Sequence, residues 1–257
     1  MKGLYAIYRK EMGHYFVSPV AYIIVGVFLF LCSYFFTRLL TAVIENSLEA
    51  SMSGGGGAFD VPSIVVRYFF GTVSTILLFL TPTLTMGVYS EERKRGTMEM
   101  LMTSPVSDTA IVLGKYLASM TLLVIMLAPT FLYSAYMFFH SEPAAPWRVL
   151  LTAYLGVLLL GGALLALGSF FSSLTESQII ASILTFGAAL LLWVLDYGQP
   201  GSGPVASTMQ YLSIFRHVED FTRGVIDTSS LIFYASFICF GLFLTVRSLD
   251  SMRWRRA

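Results

Sequence analysis

The chain has 257 residues, of which 56% are hydrophobic and only 12% are charged, and its mean hydropathy is +0.74. Ordinary soluble domains contain about 25% charged residues, so this share is too small to cover a water-soluble particle of the same length and excludes a soluble domain. The net charge of only +1 gives no indication of the basic surface that nucleic-acid-binding proteins carry, so we expect no nucleic-acid partner.

Residues 1–18 predict an amphipathic helix that lies in the plane of the lipid head groups. Apolar side chains recur at helical spacing from Leu4 to Phe16, and the charged residues fall mostly on other faces. Ser18 and Pro19 then mark a corner into the first apolar run. The alternative is an ordinary anchoring helix that contacts no partner.

Six segments contain no Asp, Glu, Lys or Arg and are long enough to cross a bilayer, which takes about 20 residues. Backbone groups in the bilayer core need partners within their own segment, so we expect these segments to be helices of an all-α membrane protein. The first run is longer than the roughly 7–15 residues of a signal-peptide core and is expected to be retained. The predicted spans are Val20–Phe36, Tyr68–Tyr89, Tyr116–Phe139, Val149–Leu174, Ser177–Leu195 and Thr228–Val246.

The distribution of Lys and Arg predicts the orientation of the chain. With the N-terminus inside, 11 of the 16 basic residues fall on the cytoplasmic side, and the densest cluster lies between the second and third spans. Cytoplasmic loops are enriched in Lys and Arg, so both termini are expected in the cytoplasm. Residues 90–115 then form the main cytoplasmic loop, whereas residues 38–67 are expected to be a polar loop on the outer side and residues 196–227 a long outer segment.

Catalytic and nucleotide-binding signals are weak. The run Gly54–Gly57 is not followed by the Lys-Ser/Thr pair of a phosphate-binding loop, so we expect no ATP site and no bound cofactor on this chain. The three histidines lie outside the spans or at their rims, and no carboxylate lies within a span, which counts against an intramembrane enzyme. Cys32 and Cys239 lie in separate apolar runs and are interpreted as packing residues, not as metal ligands.

The cytoplasmic loop predicts a compact pair of short helices below the membrane. Its charged start is expected to continue the second span into water, and Gly96 should break that helix. A methionine-rich turn, 97–102, follows, and either Ser107 or Asp108 can cap the next helix. Methionine-rich faces adapt to partner surfaces. The alternative is a basic loop that only sets membrane topology and has a solvated face.

Three parts of the chain together resemble the permeases of ABC-2-type ABC transporters. The first is Glu91–Leu101 with Ser104–Ser107 and Leu113–Lys115. The second is the N-terminal stretch from Arg9 to Tyr22, and the third is Tyr211–Asp227. The resemblance extends over the whole chain and is strongest to the branch related to the gliding-motility-associated ABC permease. The Gly54–Gly57 run is not part of it.

The resemblance implies a single transmembrane domain with the type-2 ABC exporter fold, in which residues 1–18 form an elbow helix. It implies two copies of a cytoplasmic ABC ATPase that bind ATP and Mg²⁺, a second permease copy in a homo- or heterodimer, and surrounding membrane lipids. Residues 172–176 would form a second, smaller ATPase contact. The ATPase-coupling residues implied by the resemblance are Glu91, Glu92, Arg93, Gly96, Thr97, Glu99, Ser107 and Asp108.

The resemblance further implies that residues 196–227 contain short re-entrant helices on the outer side. Many side chains between Tyr211 and Ile226 are too apolar for a free loop, and Glu219 and Arg223 can pair on one helical face. The alternative is an interfacial outer helix with no role in gating. The implied gate residues are Phe215, His217, Phe221, Arg223, Gly224 and Asp227.

The expected function is therefore that of a non-catalytic permease subunit in the bacterial cytoplasmic membrane. It would export an unidentified substrate with energy from ATP hydrolysed on the separate ATPase subunit. The alternative is an ABC-coupled membrane anchor or mechanotransmitter, which acts on envelope components without moving a solute.

Overall fold

The computed structural model describes residues 2–52, 61–103, 106–140, 146–195 and 211–254. Within these ranges every regular element is a helix, which confirms the predicted all-α class. The helices are α1 (Lys2–Val17), α2 (Pro19–Met52), α3 (Val61–Thr85), α4 (Ser90–Lys94), α5 (Met98–Thr103), α6 (Asp108–Leu127), a 3₁₀ turn (Ala128–Thr130), α7 (Phe131–His140), α8 (Trp147–Leu174), α9 (Gln178–Val194), α10 (Arg216–Thr222) and α11 (Thr228–Trp254).

Five helical segments in the described part of the chain are long and apolar enough to cross a membrane. The apolar helix α9 has 17 residues and is shorter than these five, so the sixth span stays a prediction. The five segments are Pro19–Glu49, Pro62–Lys94, Asp108–Phe139, Trp147–Leu174 and Thr228–Met252.

Helix α2 extends well beyond the predicted first span, which ended at Phe36. The outer segment 38–67 was expected to be a polar loop, but α2 continues through Arg38 to Met52 and α3 begins at Val61. No glycine or proline occurs between Val27 and Met52, so nothing in the local sequence stops the helix once it leaves the apolar region. The glycine run 54–57 lies outside the described residues.

The second apolar helix ends earlier than expected. Helix α3 ends at Thr85, and a turn over 86–89 separates it from α4, so the charged start of the loop does not continue α3. The hydroxyl oxygen of Ser172 in α8 accepts from the backbone N–H groups of Tyr89 (3.1 Å) and Ser90 (3.3 Å). The Ser172 side chain thus accepts hydrogen bonds from the first N–H groups of α4. In a continuous helix, backbone carbonyls of the preceding turn would accept these bonds instead.

Helix α8 forms the centre of the bundle and packs against α3, α6, α9, α10 and α11. Its inward side is fully buried from Ala153 to Ala166, and small residues allow its neighbours to approach closely. A Cβ atom added to Gly168 would lie 2.6 Å from Thr85 Cβ, and one added to Gly156 would lie 2.7 Å from Phe221 Cβ. These glycines set the spacing of α3 and α10 from the central helix.

Helix α1 packs along α6 at the end of the bundle that carries the α4–α5 segment. Tyr8 and Tyr15 hydrogen-bond through their hydroxyls to Thr121 (3.1 Å) and Ser119 (3.0 Å). Gly114 of α6 allows α1 to approach closely, since a Cβ at this position would lie 2.9 Å from Ile7 Cγ2. The sequence predicted the helix, but its packing on α6 comes only from the structure.

Candidate coupling hairpin and outer helix

Residues 86–103 form a hairpin of two short helices, α4 and α5, which we call the coupling hairpin. Gly96 turns the chain between them with a φ of +71°, a conformation that favours glycine. The predicted break at Gly96 is therefore confirmed. The predicted cap also forms, because the Ser107 side chain accepts from the backbone N–H of Ala110 (3.3 Å) ahead of α6.

A buried cluster of charges holds the base of the hairpin. The Lys115 side chain in α6 is 2% exposed, and its Nζ lies 2.8 Å from Glu11 Oε1 and 3.1 Å from Glu92 Oε2. The same Nζ donates to the Val88 carbonyl at 2.9 Å. Lys10 completes the cluster at 2.8 Å from Glu92 Oε1. The cluster thus joins α1, α4 and α6 through charge-assisted hydrogen bonds.

Lys10 forms the solvent-facing side of this cluster. Partial burial works to lower the pKa of Lys10, but the hydrogen bond and the charge of Glu92 outweigh it, so the pKa of Lys10 is raised. The lysine is therefore a cation at neutral pH. We refer to Glu11, Lys10, Glu92 and Lys115 together as the charge cluster.

The hairpin is also attached to the end of α8. Ser172 accepts from the first N–H groups of α4 and donates to the Met86 carbonyl at 3.0 Å. Arg93 Nη1 donates to the Ser173 carbonyl at 2.6 Å, and Arg93 Nη2 lies 3.6 Å from Glu176 Oε1. A cation at the C-terminal end of a helix also interacts favourably with the helix dipole. The hairpin base is therefore fixed to three long elements: α1, α6 and α8.

Six of the eight predicted coupling residues divide into two groups, and the other two lie at the start of α6. Glu92 and Arg93 face the bundle through the contacts above, and Glu91 pairs with Arg95 at 2.5 Å. The second group is exposed at the tip and consists of Gly96, Thr97 and Glu99. Asp108 is the first residue of α6, behind the capping residue Ser107.

Two methionines of the predicted methionine-rich turn have different surroundings. Met98 is 4% exposed and packs with Val88, Tyr89 and Leu249 in a small core cluster. Met100 is 76% exposed and lies at the tip. The exposed tip therefore consists of Lys94, Arg95, Gly96, Thr97, Glu99 and Met100.

Sequence reasoning did not identify Lys115, Glu11 or Lys10 as site residues, and it placed Ser172 only in the predicted second ATPase contact, 172–176. One signal for Lys115 was present, because Ser119, Leu122 and Met126 follow it at helical spacing and all three are buried. A lysine on a buried stripe needs an anionic partner. The sequence did not reveal the partner Glu11, which lies 104 positions away.

The outer helix α10 is buried against α8 and α3. Phe221 is 0% exposed, and its carbonyl accepts from the Thr152 hydroxyl at 2.8 Å. Gly224 follows with a φ of +82° and ends the helix close to Val149. The predicted gate residues Phe221 and Gly224 therefore lie where α10 packs against α8.

His217 is fixed on both sides of its ring. Its Nε2 lies 3.0 Å from the Tyr211 carbonyl and its Nδ1 lies 3.0 Å from the Ser230 hydroxyl. A carbonyl only accepts, so Nε2 donates. The ring also stacks on Phe233 with a centroid distance of 4.2 Å. His217 thereby joins α10 to α11 and to the segment before α10.

Glu219 is the charged contact of α10. Arg67 of α3 and Arg223 of α10 both contact its Oε1, the latter at 2.8 Å. Partial burial works to raise the pKa of Glu219, but the charges of Arg223 and Arg67 outweigh it and lower that pKa. The remaining predicted gate residues flank the helix: Phe215 precedes α10, and Asp227 accepts from the Ser229 N–H at 3.1 Å ahead of α11.

No group of three or more His, Cys, Asp or Glu side chains within the described ranges is arranged to hold a metal ion. The coupling hairpin and α10 lie at opposite ends of α8, since Ser172 contacts the first and Thr152 the second. The site is therefore a pair of surfaces joined by one helix.

Comparison with known proteins identifies the family. No curated protein matches the chain at a significant level. The family model described as ABC-2 family transporter protein matches residues 51–215, well over half of the chain. The matched region contains the coupling hairpin and the central helix α8. The chain is a multi-pass membrane protein that belongs to the ABC-2 family of transporter proteins, whose members are permease subunits that partner an ABC ATPase.

Proposed function

We propose that the chain is the permease subunit of an ATP-driven exporter and that the exposed tip of the coupling hairpin is where its ATPase binds. The observation that carries the proposal is the combination of an exposed tip with a base attached to α1, α6 and α8. A partner that displaces this tip displaces three long helices with it. That is the property required of a contact that transmits nucleotide-driven motion.

The proposed complex contains two ATPase copies and a second permease copy. Helices α2 and α9 offer surface for contact with lipid or with this second copy, because they present large apolar side chains to the outside, among them Phe30 (70% exposed) and Ile179 (71% exposed). Such surfaces require lipid or protein around them. The second permease copy is either identical to the first or a related chain.

The proposed topology has six spans, with α9 as the fifth, and both termini in the cytoplasm of a bacterial cell. The basic residues of the hairpin favour this orientation. In it, α10 is a re-entrant outer helix that closes the pathway. Its burial against α8 supports re-entry, because irregular backbone at membrane depth needs protein around it. Within the family we propose the branch related to the gliding-motility-associated permease.

Purification from native membranes in mild detergent tests the partner directly. We expect an ABC ATPase to co-purify with the chain and to hydrolyse ATP in the complex. The variant Met100→Asp places a charge on the exposed tip and should reduce ATPase retention at least tenfold. A tenfold reduction corresponds to a loss of about 1.4 kcal/mol of binding free energy. Retention unchanged by Met100→Asp would rule out the tip as the docking surface.

Val225→Asp provides the matched control. Val225 is also an exposed apolar residue, at 55%, but it lies beyond α10 at the other end of the bundle. It should keep the ATPase at the level of the unaltered chain. Reconstitution of the complex in vesicles then separates the two functions: an exporter moves a substrate as it hydrolyses ATP, whereas a mechanotransmitter hydrolyses ATP without moving a solute.

A further inference from the structure

A cavity of about 410 Å³ lies beside the charge cluster, at the end of the bundle that carries the coupling hairpin. Its walls come from the corner between α1 and α2, the end of α3, the helix α4 and the first turn of α9. The volume falls within the roughly 300–1,000 Å³ of small-molecule sites. The cavity shares Glu91 and Arg95 with the coupling hairpin, but the proposed ATPase contact does not account for its apolar interior.

The cavity has an apolar floor. Ala21 and Ile24 of α2 lie on one side, and Leu84 and Val88 lie on the other. All four are at most 8% exposed, so the floor belongs to the interior of the bundle. The apolar surface continues outward to Val17, which is 84% exposed at the helix corner. In a membrane protein such a surface suits hydrocarbon.

The rim of the cavity is polar and carries both charges. Glu91 and Arg95 lie on the rim and pair at 2.5 Å, with side chains 27% and 67% exposed. His14 and Gln178 lie on the same rim. The remaining acid on the wall, Glu11, is already held by Lys115 at 2.8 Å. The rim therefore also carries one cation and one anion side by side, joined to each other in an ion pair.

Gly87 keeps the space between the Glu91 carboxylate and the Gln178 amide open. A Cβ atom at this position would lie 3.3 Å from Glu91 Oε2 and 3.5 Å from Gln178 Nε2. A larger side chain at residue 87 would therefore extend between the carboxylate and the amide. The glycine thus leaves both polar groups facing the cavity.

We propose that this cavity binds the head group of a zwitterionic phospholipid. The head group exchanges with the solvent-exposed Glu91–Arg95 ion pair, so that its two charges replace the two side chains as each other's partners. The phosphate lies against the Arg95 guanidinium, which suits phosphate geometry, and the ammonium lies against the Glu91 carboxylate. The first part of the acyl chains rests on Ala21 and Ile24 and leaves past Val17. The proposal goes beyond the permease function and needs only that this end of the bundle meets the membrane surface.

Native mass spectrometry of the chain taken from lipid nanodiscs tests the proposal. The nanodiscs contain equal amounts of phosphatidylethanolamine, which carries an ammonium, and phosphatidylglycerol, which does not. We expect retained phosphatidylethanolamine to exceed phosphatidylglycerol about tenfold, the effect of one charge-assisted contact. Glu91→Gln should abolish that preference, whereas Arg95→Gln should reduce retention of both lipids.

Gly87→Leu tests the position of the site, because it fills the cavity and should remove the retained lipid. Gly26→Leu is the matched control: it adds the same side chain to an exposed position on α2 with no atom within 4 Å of the new Cβ, and should retain lipid normally. Equal retention of the two lipids by the unaltered chain would overturn the proposal. Normal lipid retention by Gly87→Leu would also overturn it. A disulfide between two copies of the Ser18→Cys variant would overturn it too, because Ser18 lines the cavity and the crosslink would show that protein covers it. None of these measurements uses nucleotide, so their failure is distinct from failure of the permease proposal.

Discussion

Replacing Lys115 with methionine removes a buried positive charge while keeping most of the side-chain volume. The ammonium is 2% exposed and lies 2.8 Å from Glu11 and 3.1 Å from Glu92. Without it, two carboxylates that are 11% and 15% exposed face each other across the space it occupied. Such an uncompensated buried charge makes Lys115→Met strongly destabilising.

The size of the effect follows from the contacts that remain. Removing one partner from a buried ion pair costs about 3–5 kcal/mol. Lys10 stays 2.8 Å from Glu92 and compensates part of the loss, so we expect the lower end, about 3 kcal/mol. At about 2–4 °C per kcal/mol for a chain of this size, the expected fall in Tm is roughly 6–12 °C.

Thermal melting in detergent, followed by tryptophan fluorescence, measures this fall. Lys10→Met is the matched control, because it removes a contact to the same carboxylate from a lysine that is 61% exposed. Pairs at such exposure contribute about 0–1 kcal/mol. Adding Glu11→Gln and Glu92→Gln to Lys115→Met removes the unpaired charges and should restore much of the Tm. Equal melting temperatures for Lys115→Met and Lys10→Met would refute the assigned role of the buried lysine.

Two further predictions concern the rest of the bundle. Gly168→Ala places a Cβ 2.6 Å from Thr85 Cβ and should cost about 1–3 kcal/mol of unfolding free energy. Gly187→Ala, with open space around the new Cβ, is the control and should be neutral. Equal thermal stability of the two variants would contradict the close packing of α3 on α8. Glu219 has a lowered pKa, so its pairing with Arg67 contributes stability above the ordinary pKa of 4.5 and loses it as the pH falls through the lowered value. The Tm difference between the chain and Glu219→Gln should therefore be constant from neutral pH to about pH 5 and shrink as the pH falls further through the lowered pKa, and a difference that disappears at neutral pH would refute it.

Local signals in the sequence predicted much of the fold. The long apolar runs gave the helical class, Gly96 gave the turn in the hairpin and Ser107 gave the cap of α6. Each depends only on residues close together in the chain. The motif resemblance to ABC-2 permeases was confirmed at the level of the family, while the narrower branch stays a prediction.

The expected loop over 38–67 shows where local signals misled. Polar residues such as Arg38 and Glu45 suggest that the helix ends where the apolar run ends, although a helix satisfies its own backbone whether or not it is in lipid. Polarity indicates where a segment meets water, whereas glycine and proline indicate where a helix stops. With no such residue before Met52, α2 continues.

The contacts that hold the hairpin could not be predicted because they join distant positions. Glu11 and Lys115 lie 104 residues apart, and Arg93 and Ser173 lie 80 apart. One sequence contains no information on which of several acids meets a given lysine. The exposed tip, by contrast, follows from the turn at Gly96 and was partly identified.

The length of α8 has a mechanical consequence. Ser172 and Thr152 are 20 positions apart on one uninterrupted helix, which at 1.5 Å per residue corresponds to about 30 Å. One end carries the first turn of α4 and the other carries the backbone of α10. A stiff rod of that length conveys a tilt or an axial shift across the whole hydrocarbon layer without an intervening joint. The two faces of the protein are therefore expected to move together, with α8 as the strut between them.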